Sequence, residues 1–526
     1  MPRRRFSRRH AVVSERVFMF VHDRAATAAM ARQLAHMERA SAAISAIRRD
    51  RPAGARARAL AVALVGGLLV AACKTLSPDA GMDTVADIAG DALKADVQAI
   101  RTPEQAAAAR AKVEGLLRRP LTARAAVQIA LLNNRGLQAA YNELGIAEAA
   151  MVEASLPPSP NFSLRRISGS VEIEIERRIV GDILALATLP ARQEIAGDRF
   201  RQAQLHAAEA TLRTAAETRR AYYRSVAARE TVGFLEQSAA TAKTADELSK
   251  RLVESGAMNK LDQAREQVLY AEIAAQLAKA RQQAAGERER LVRALGLSGG
   301  DLAFRLPGSL PALSARPRSA PSVEMQAVAR RLDLQIGRLE LEALAKSFGL
   351  TQATRFLNLL ELSGVGKTTL DKPTGTRIVD RGFEAQVQIP LFDFGATRVR
   401  AAEETYMQAV NRLAEMAVNA RSQAREAYQA YRSSYDIAAH YRNEVLPLRK
   451  TISDEMVLRY NAMMVDVFAL LTEARQRIVS TTSGVEAERD FWLAGVDLDA
   501  AILGGGMSRS PEASAAAPAP VGADGN

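Results

Sequence analysis

The sequence predicts a mainly α-helical chain with a transmembrane β portion: long helical hairpins plus four β-strands per chain, arranged as two internal copies of one pattern. Three observations predict it. Residues 171–176 read Val-Glu-Ile-Glu-Ile-Glu, and "FEAQVQI" from Phe383 to Ile389 alternates in the same way. Side chains on a strand point to opposite faces with period two, so each segment has one apolar and one polar face. From Ala191 to Leu306 there is no proline. The same order of segments also occurs twice along the chain, and internal similarity of this kind governs the architecture.

Taken from the start, the chain has 526 residues and a formal charge of +12. The charge is uneven. Residues 1–72 hold fourteen arginines, no lysine and four acidic residues, which accounts for +10 and leaves +2 for the rest. A phosphate-binding groove needs its cations in the folded part, so nucleic-acid binding is disfavoured. Arg56 and Arg58 precede an apolar run from Ala59 to Ala72, and Cys73 follows. Fourteen apolar residues are too few to span a bilayer as a helix, and the pattern reads as a secretory signal. Val70-Ala71-Ala72-Cys73 resembles the bacterial lipobox, whose cysteine is lipidated and becomes the mature N-terminus. Cys73 is the single cysteine, so no intrachain disulfide framework forms. Lys74 after it leans towards the outer membrane. The segment before Arg56 is long for a leader, and Met37 gives an alternative start. These features divide the chain into a leader (1–72), a lipidated tail with one or two loose helices (73–119), a first copy (120–310), a second copy (311–503) and a disordered Gly/Ala/Pro/Ser tail (504–526).

Each copy begins with a helix, expected over 122–155 and 321–348. Two strands follow, expected over 160–168 with 171–179, and over 354–363 with 382–392. Two long helices complete each copy. "RRAYYRSVAA" around Tyr222 matches "REAYQAYRSS" around Tyr428, and "RLVESGAMNKLDQARE" around Gly256 matches "LRYNAMMVDVFALLTEAR" around Met463. The second copy is longer between its strands, at 365–381, which reads as a flexible surface loop. Leu205 and Leu212 lie one heptad apart among alanines, as close helix packing requires. A helix over 191–255 would be about 98 Å long at ~1.5 Å per residue. Gly256 and Met463 are the expected hairpin tips, and Pro447 must kink or break the second hairpin. Tyr222, Tyr428 and Tyr431 are expected to pack between helices.

Four strands cannot close a water-filled barrel, and an open strand edge cannot lie in lipid with its backbone unpaired. Several chains must therefore contribute, and three give twelve strands. Val171, Ile173 and Ile175 then face lipid. Glu172, Glu174 and Glu176, with Glu384, Gln386 and Gln388 of the second copy, face a wet lumen. The rival is a half-buried strand in a soluble sheet.

Over residues 120 to 500 the chain resembles the TolC-type outer-membrane efflux proteins. The resemblance rests on the segment from Pro120 to Leu164, on "IPLFDFGATRVRAAE", on "EVLPLRKTISDEMVLRYNA" and on both tips. It implies a homotrimer with a twelve-stranded barrel and a periplasmic helical tunnel. It also implies partners, a periplasmic adaptor and an inner-membrane pump. The tips, 253–262 and 460–471, would meet the adaptor and form the constriction. Where the best-known members carry aspartates, this chain has Ala469 and Thr472. Asp262 and Asp466 could rebuild a charged ring, or Leu261, Phe468 and Leu471 could form an apolar gate. The implied function is a passive export conduit. The alternative is a periplasmic coiled-coil scaffold or adaptor without a barrel.

No enzyme is expected. "SGVGKTTL" at 363–370 resembles a phosphate-binding loop, but Glu361 occupies the position of its first glycine and Pro373 follows. His206 and His440 have no Cys or His partner nearby in sequence, so no metal is expected. Met258, Met463 and Met464 cluster at the tips, where soft-metal binding competes with a packing role. No cofactor is expected.

Overall fold

The computed structural model describes residues 76–319, 322–504 and 506. Cys73, the leader and the tail beyond residue 506 lie outside the described residues. Two short helices come first, α1 (Met82–Leu93) and α2 (Pro103–Leu117). They are docked, which corrects the expectation of loose helices. Val85 and Ala89 of α1 are wholly buried against Leu205, Ala208 and Leu212 of the first long helix. Thr102 caps α2 in a reciprocal arrangement with Gln105, and Pro103 supplies a pre-set first turn.

The single helix expected over 122–155 is two, α3 (Ala123–Asn133) and α4 (Arg135–Ser155). Asn134 leaves the helical region at φ −71°, ψ 113°, and its side chain accepts the Leu137 N–H at 3.1 Å. Its amide donates to the Ala294 carbonyl at 3.0 Å, so the break clasps the far end of the first hairpin. A second break falls at Arg331, between α8 (Val323–Arg330) and α9 (Leu332–Ala353). Arg331 donates to Asp333 at 2.6 Å and to the Gln423 side chain at 2.9 Å. Apolar periodicity runs straight through both breaks, which hides them from a pattern reading.

The strands are β1 (Asn161–Ser168), β2 (Glu172–Asp182), β3 (Leu359–Asp371) and β4 (Arg377–Gln388). They form one antiparallel sheet in the order β1-β2-β3-β4. The third strand lies later than expected, because α9 runs on to Ala353 and residues 354–358 turn before the sheet begins. The segment 365–381 is not a loop: it lengthens both strands, and only 372–376 turn. The reason is pairing, since each residue of β2 from Glu172 to Asp182 finds a partner on β3. Val171 sits just before β2, and its carbonyl accepts the Lys372 N–H at 2.9 Å. "SGVGKTTL" is therefore strand, with no helix N-terminus for a phosphate to meet.

A short helix, α5 (Ile183–Ala187), leads into α6 (Leu189–Glu254), which spans 66 residues, about 99 Å. Its partner is α7 (Lys260–Leu295). In the second hairpin, α10 (Ala396–His440) passes through a π-helical turn at Tyr441–Val445 into α11 (Leu446–Asn461), and α12 (Val467–Leu503) returns. The wide turn ends two residues before Pro447. Proline has no N–H, and its ring would strike the carbonyl four residues back. One inserted residue relieves that clash, so the chain bulges here and continues.

Buried tyrosines hold the hairpins together. The Tyr222 hydroxyl donates to the Leu121 carbonyl at 3.0 Å, Tyr223 stacks on Trp492 at 5.2 Å, and the Tyr431 hydroxyl accepts the Arg318 N–H at 3.1 Å. Tyr428 packs partly buried in the same cluster as Tyr431. Arg220 of α6, itself buried, pairs with Asp497 of α12 at 2.6 Å and ties the first long hairpin to the second.

Candidate functional site

Two regions combine unusual geometry with the residues singled out above: the sheet and the two hairpin tips. Directly paired residues of an antiparallel sheet lie on the same face, so the register assigns every strand residue. One face carries Glu172, Glu174, Glu176, Asp182, Glu361, Asp371, Asp380 and Glu384. These eight are all the carboxylates of the four strands. Gln386 and Gln388 share their face, so all six polar residues named from the two alternating segments fall together. Cations thread between the carboxylates. Arg178 reaches Glu384 at 3.1 Å, Arg165 lies 3.8 Å from Glu176, and Lys367 pairs with Glu174.

The opposite face bears Phe162, Leu164, Ile173, Ile175, Ile179, Leu360, Leu362, Phe383 and Val387. Phe162 and Phe383 are exposed in the single chain. Beyond the strands, Phe392 and Phe394 project from the turn into α10, and Phe392 is 106% exposed. Gly395 closes that turn at φ +73°. Asp393 accepts its N–H at 3.0 Å and caps the helix. Among the described residues, neither the β1 edge nor the β4 edge of the sheet is paired.

At the tips, residues 207 apart adopt the same backbone. Gly256 has φ +75° and Met463 has φ +60°. Asn259 caps α7 through the Asp262 N–H at 2.8 Å, and Asp466 caps α12 through the Ala469 N–H at 2.8 Å. Asp262 is held within its own tip by Asn259 at 2.6 Å and by Arg265 at 3.1 Å. Leu261 and Phe468 occupy matching positions and are 62% and 52% exposed. Leu471 differs: at 5% exposed it packs with Leu269 and Ile273 inside the hairpin interface. Arg265 lies over the Phe468 ring at 5.4 Å and ties one tip to the other. Sequence reading missed Arg265; its spacing of three from Asp262 on a helix was the available signal. Met258, Met463 and Met464 sit on the two turns. His206 and His440 lie on exposed helix faces, near Glu209 at 3.8 Å and Glu444 at 3.1 Å.

Deeper in the first hairpin, Asp246 and Glu266 are both buried. Burial, with Asp246 beside it, holds the Glu266 carboxyl above its usual range. Asp246 in turn accepts a hydrogen bond from Lys250 at 2.6 Å, which raises the lysine.

No protein-family model matches the chain, and no curated protein matches it significantly. Solved structures do. The outer membrane channel CmeC of Campylobacter jejuni is 16% identical, with a TM-score of 0.63 over 73% of this chain and 86% of that one. The open state of the MtrE outer membrane channel of Neisseria gonorrhoeae is 16% identical, with a TM-score of 0.59 over 72% and 88%. The outer membrane protein VceC of Vibrio cholerae is 13% identical, with a TM-score of 0.56 over 76% and 97%.

The chain has the outer-membrane channel fold.

In this channel fold the sheet and the tips occupy opposite ends of the long hairpins. Among the described residues, no helix is long and apolar enough to cross a membrane, and no group of three or more His, Cys, Asp or Glu could hold a metal ion.

Proposed function

We propose that three copies of this chain close a twelve-stranded barrel in the outer membrane, continued by a periplasmic helical tunnel, and that the assembly is a passive export conduit. Its energy comes from an inner-membrane pump joined through a periplasmic adaptor at the tips. One observation carries the reading: every strand carboxylate lies on one face of the sheet and none on the other. The carboxylate face needs water and the apolar face needs lipid. The two unpaired edges cannot remain open in lipid, and joining β4 of one copy to β1 of the next removes them. The eight carboxylates then line the lumen, Glu172, Glu174, Glu176 and Glu384 among them.

Cys73 fits as the lipid anchor. The tips fit as the adaptor surface and constriction, with Leu261 and Phe468 presenting apolar side chains there. Asp262 and Asp466 already serve as local helix-start partners, which favours an apolar constriction over a ring of charge. A scaffold without a barrel gives no use for a sheet exposed on both faces.

The test is the native mass of protein extracted from purified outer membranes in mild detergent. Three mature chains with acylated Cys73 are expected. A monomer recovered from the soluble periplasm would overturn the barrel.

A further inference from the structure

The four strands carry seven cations, and they are divided sharply. Arg165, Arg178 and Lys367 share the carboxylate face and are paired there. Arg166, Arg177, Arg377 and Arg381 share the apolar face, where the register supplies no carboxylate at all. Among the described residues none of these four makes an ion pair. A cation on a lipid-facing surface is costly at mid-depth and nearly free at the interface. Four of them call for an anion outside the protein.

Their positions are specific. Arg177 and Arg381 are both opposite Gly366, one on each side of it. Strands lie ~4.8 Å apart, so the two arginine backbones are about 10 Å apart, and both side chains can converge over the glycine. Nothing occupies that space: a Cβ at Gly366, or at Gly364 two residues on, would meet no atom within 4 Å. Gly364 in turn lies between Ile179 and Phe383. The surface is therefore a shallow furrow along β3, floored by two glycines. It has apolar walls at one end and two guanidinium groups at the other.

The depth agrees. Arg381 stands four residues from the turn end of β4 and seven from Gln388. Seven residues extend ~23 Å along a strand, or ~18 Å of height at a ~40° tilt. The exposed Ile389, Leu391 and Phe392 continue the apolar surface past Gln388. The arginines thus border one end of an apolar band near the ~25 Å expected of such barrels, on the side of the strand turns and away from the tunnel.

We propose that Arg177 and Arg381 clamp the phosphate of an anionic membrane lipid in the outer leaflet, with an acyl chain laid along the Gly364–Gly366 furrow against Ile179 and Phe383. Arginine suits the task because its planar fork binds phosphate through two parallel hydrogen bonds. Arg166 and Arg377 extend the basic patch towards the surface. This inference rests on the barrel reading.

The experiment is native mass spectrometry of the detergent-extracted trimer incubated with bisphosphorylated lipid A or with the same lipid after removal of its phosphates. Reading only the trimer peak keeps a failure here separate from a failure of the barrel. The trimer is expected to retain the phosphorylated lipid and not its dephosphorylated form. The Arg177→Gln/Arg381→Gln trimer is expected to lose roughly 25-fold in retention, at about fivefold per cation near a charged bilayer surface. Equal retention of the two lipids by the natural chain overturns the proposal without any variant, and so does undiminished retention by the double variant.

Discussion

Gly256 and Gly395 have nearly the same backbone and opposite surroundings, which lets strain be separated from collision. Both have positive φ, +75° and +73°. Around Gly256 a Cβ would meet nothing within 4 Å, whereas at Gly395 it would lie 2.2 Å from the Arg355 carbonyl oxygen. Gly256→Ala therefore incurs only the left-handed penalty, about 1–2 kcal/mol. Gly395→Ala incurs that penalty and must also push two backbones apart by roughly 1 Å, adding about 1–3 kcal/mol of overpacking. This collision falls where β4 hands the chain to α10, so it also disturbs the cap that Asp393 makes. A kcal/mol shifts a melting temperature by ~1–2 °C in a chain this large, extrapolating from smaller domains. Circular dichroism melts in detergent should give a drop of ~1–4 °C for Gly256→Ala and ~2–10 °C for Gly395→Ala. Yield of the assembled oligomer should fall for Gly395→Ala alone. Equal losses in the two variants would refute the reasoning, because the collision would then count for nothing.

Three further outcomes are expected. Met463→Gly should slow hydrogen exchange at the second tip, since it removes ~1–2 kcal/mol of left-handed strain against ~0.5–1 kcal/mol of added chain entropy; faster exchange would sink the idea. Asp466→Ala should cost about 1 kcal/mol at the start of α12, while Asp466→Asn keeps the cap; a change in cation block of single-channel current shared by Asp466→Asn and Asp262→Asn would instead point to a charged constriction. Glu488 lies partly buried near Glu230 of α6, with Arg442 of the π turn opposing the effect, and burial followed by Glu230 raises its carboxyl above 4.5. Burial raises Glu230 as well. A raised folded pKa means the folded chain holds the proton more tightly, so stability gained below the unfolded value is lost as pH rises through the folded one. The melting temperature of the natural chain relative to Glu488→Gln should therefore rise as pH falls from neutral through that window; a difference that does not change with pH would argue against it.

The long hairpins were legible because proline-free, alanine-rich stretches leave a chain little alternative to helix. The tips were legible because glycine and its matched methionine fall at one repeat distance. The carboxylate face was legible because strict alternation fixes which side chains share a side. The breaks at Asn134 and Arg331 were not. Each is held by bonds to residues far away in sequence, Ala294 in one case and Gln423 in the other. The length of β3 and β4 was missed for a similar reason. Gly364, Gly366 and the polar residues up to Asp371 read as a loop until β2 supplies a partner for each position.

By itself, then, the sequence determined the elements that depend on local periodicity: two long hairpins, and an apolar and a carboxylate face for each alternating strand. Tertiary structure alone decided the register that gathers all eight carboxylates on one face and stations Arg177 and Arg381 across Gly366. It also buried Leu471 while leaving Leu261 and Phe468 bare. The physical reason is that side-chain direction along one strand or helix follows from chain geometry, whereas the neighbour across a ladder or a helix interface follows from which segments meet.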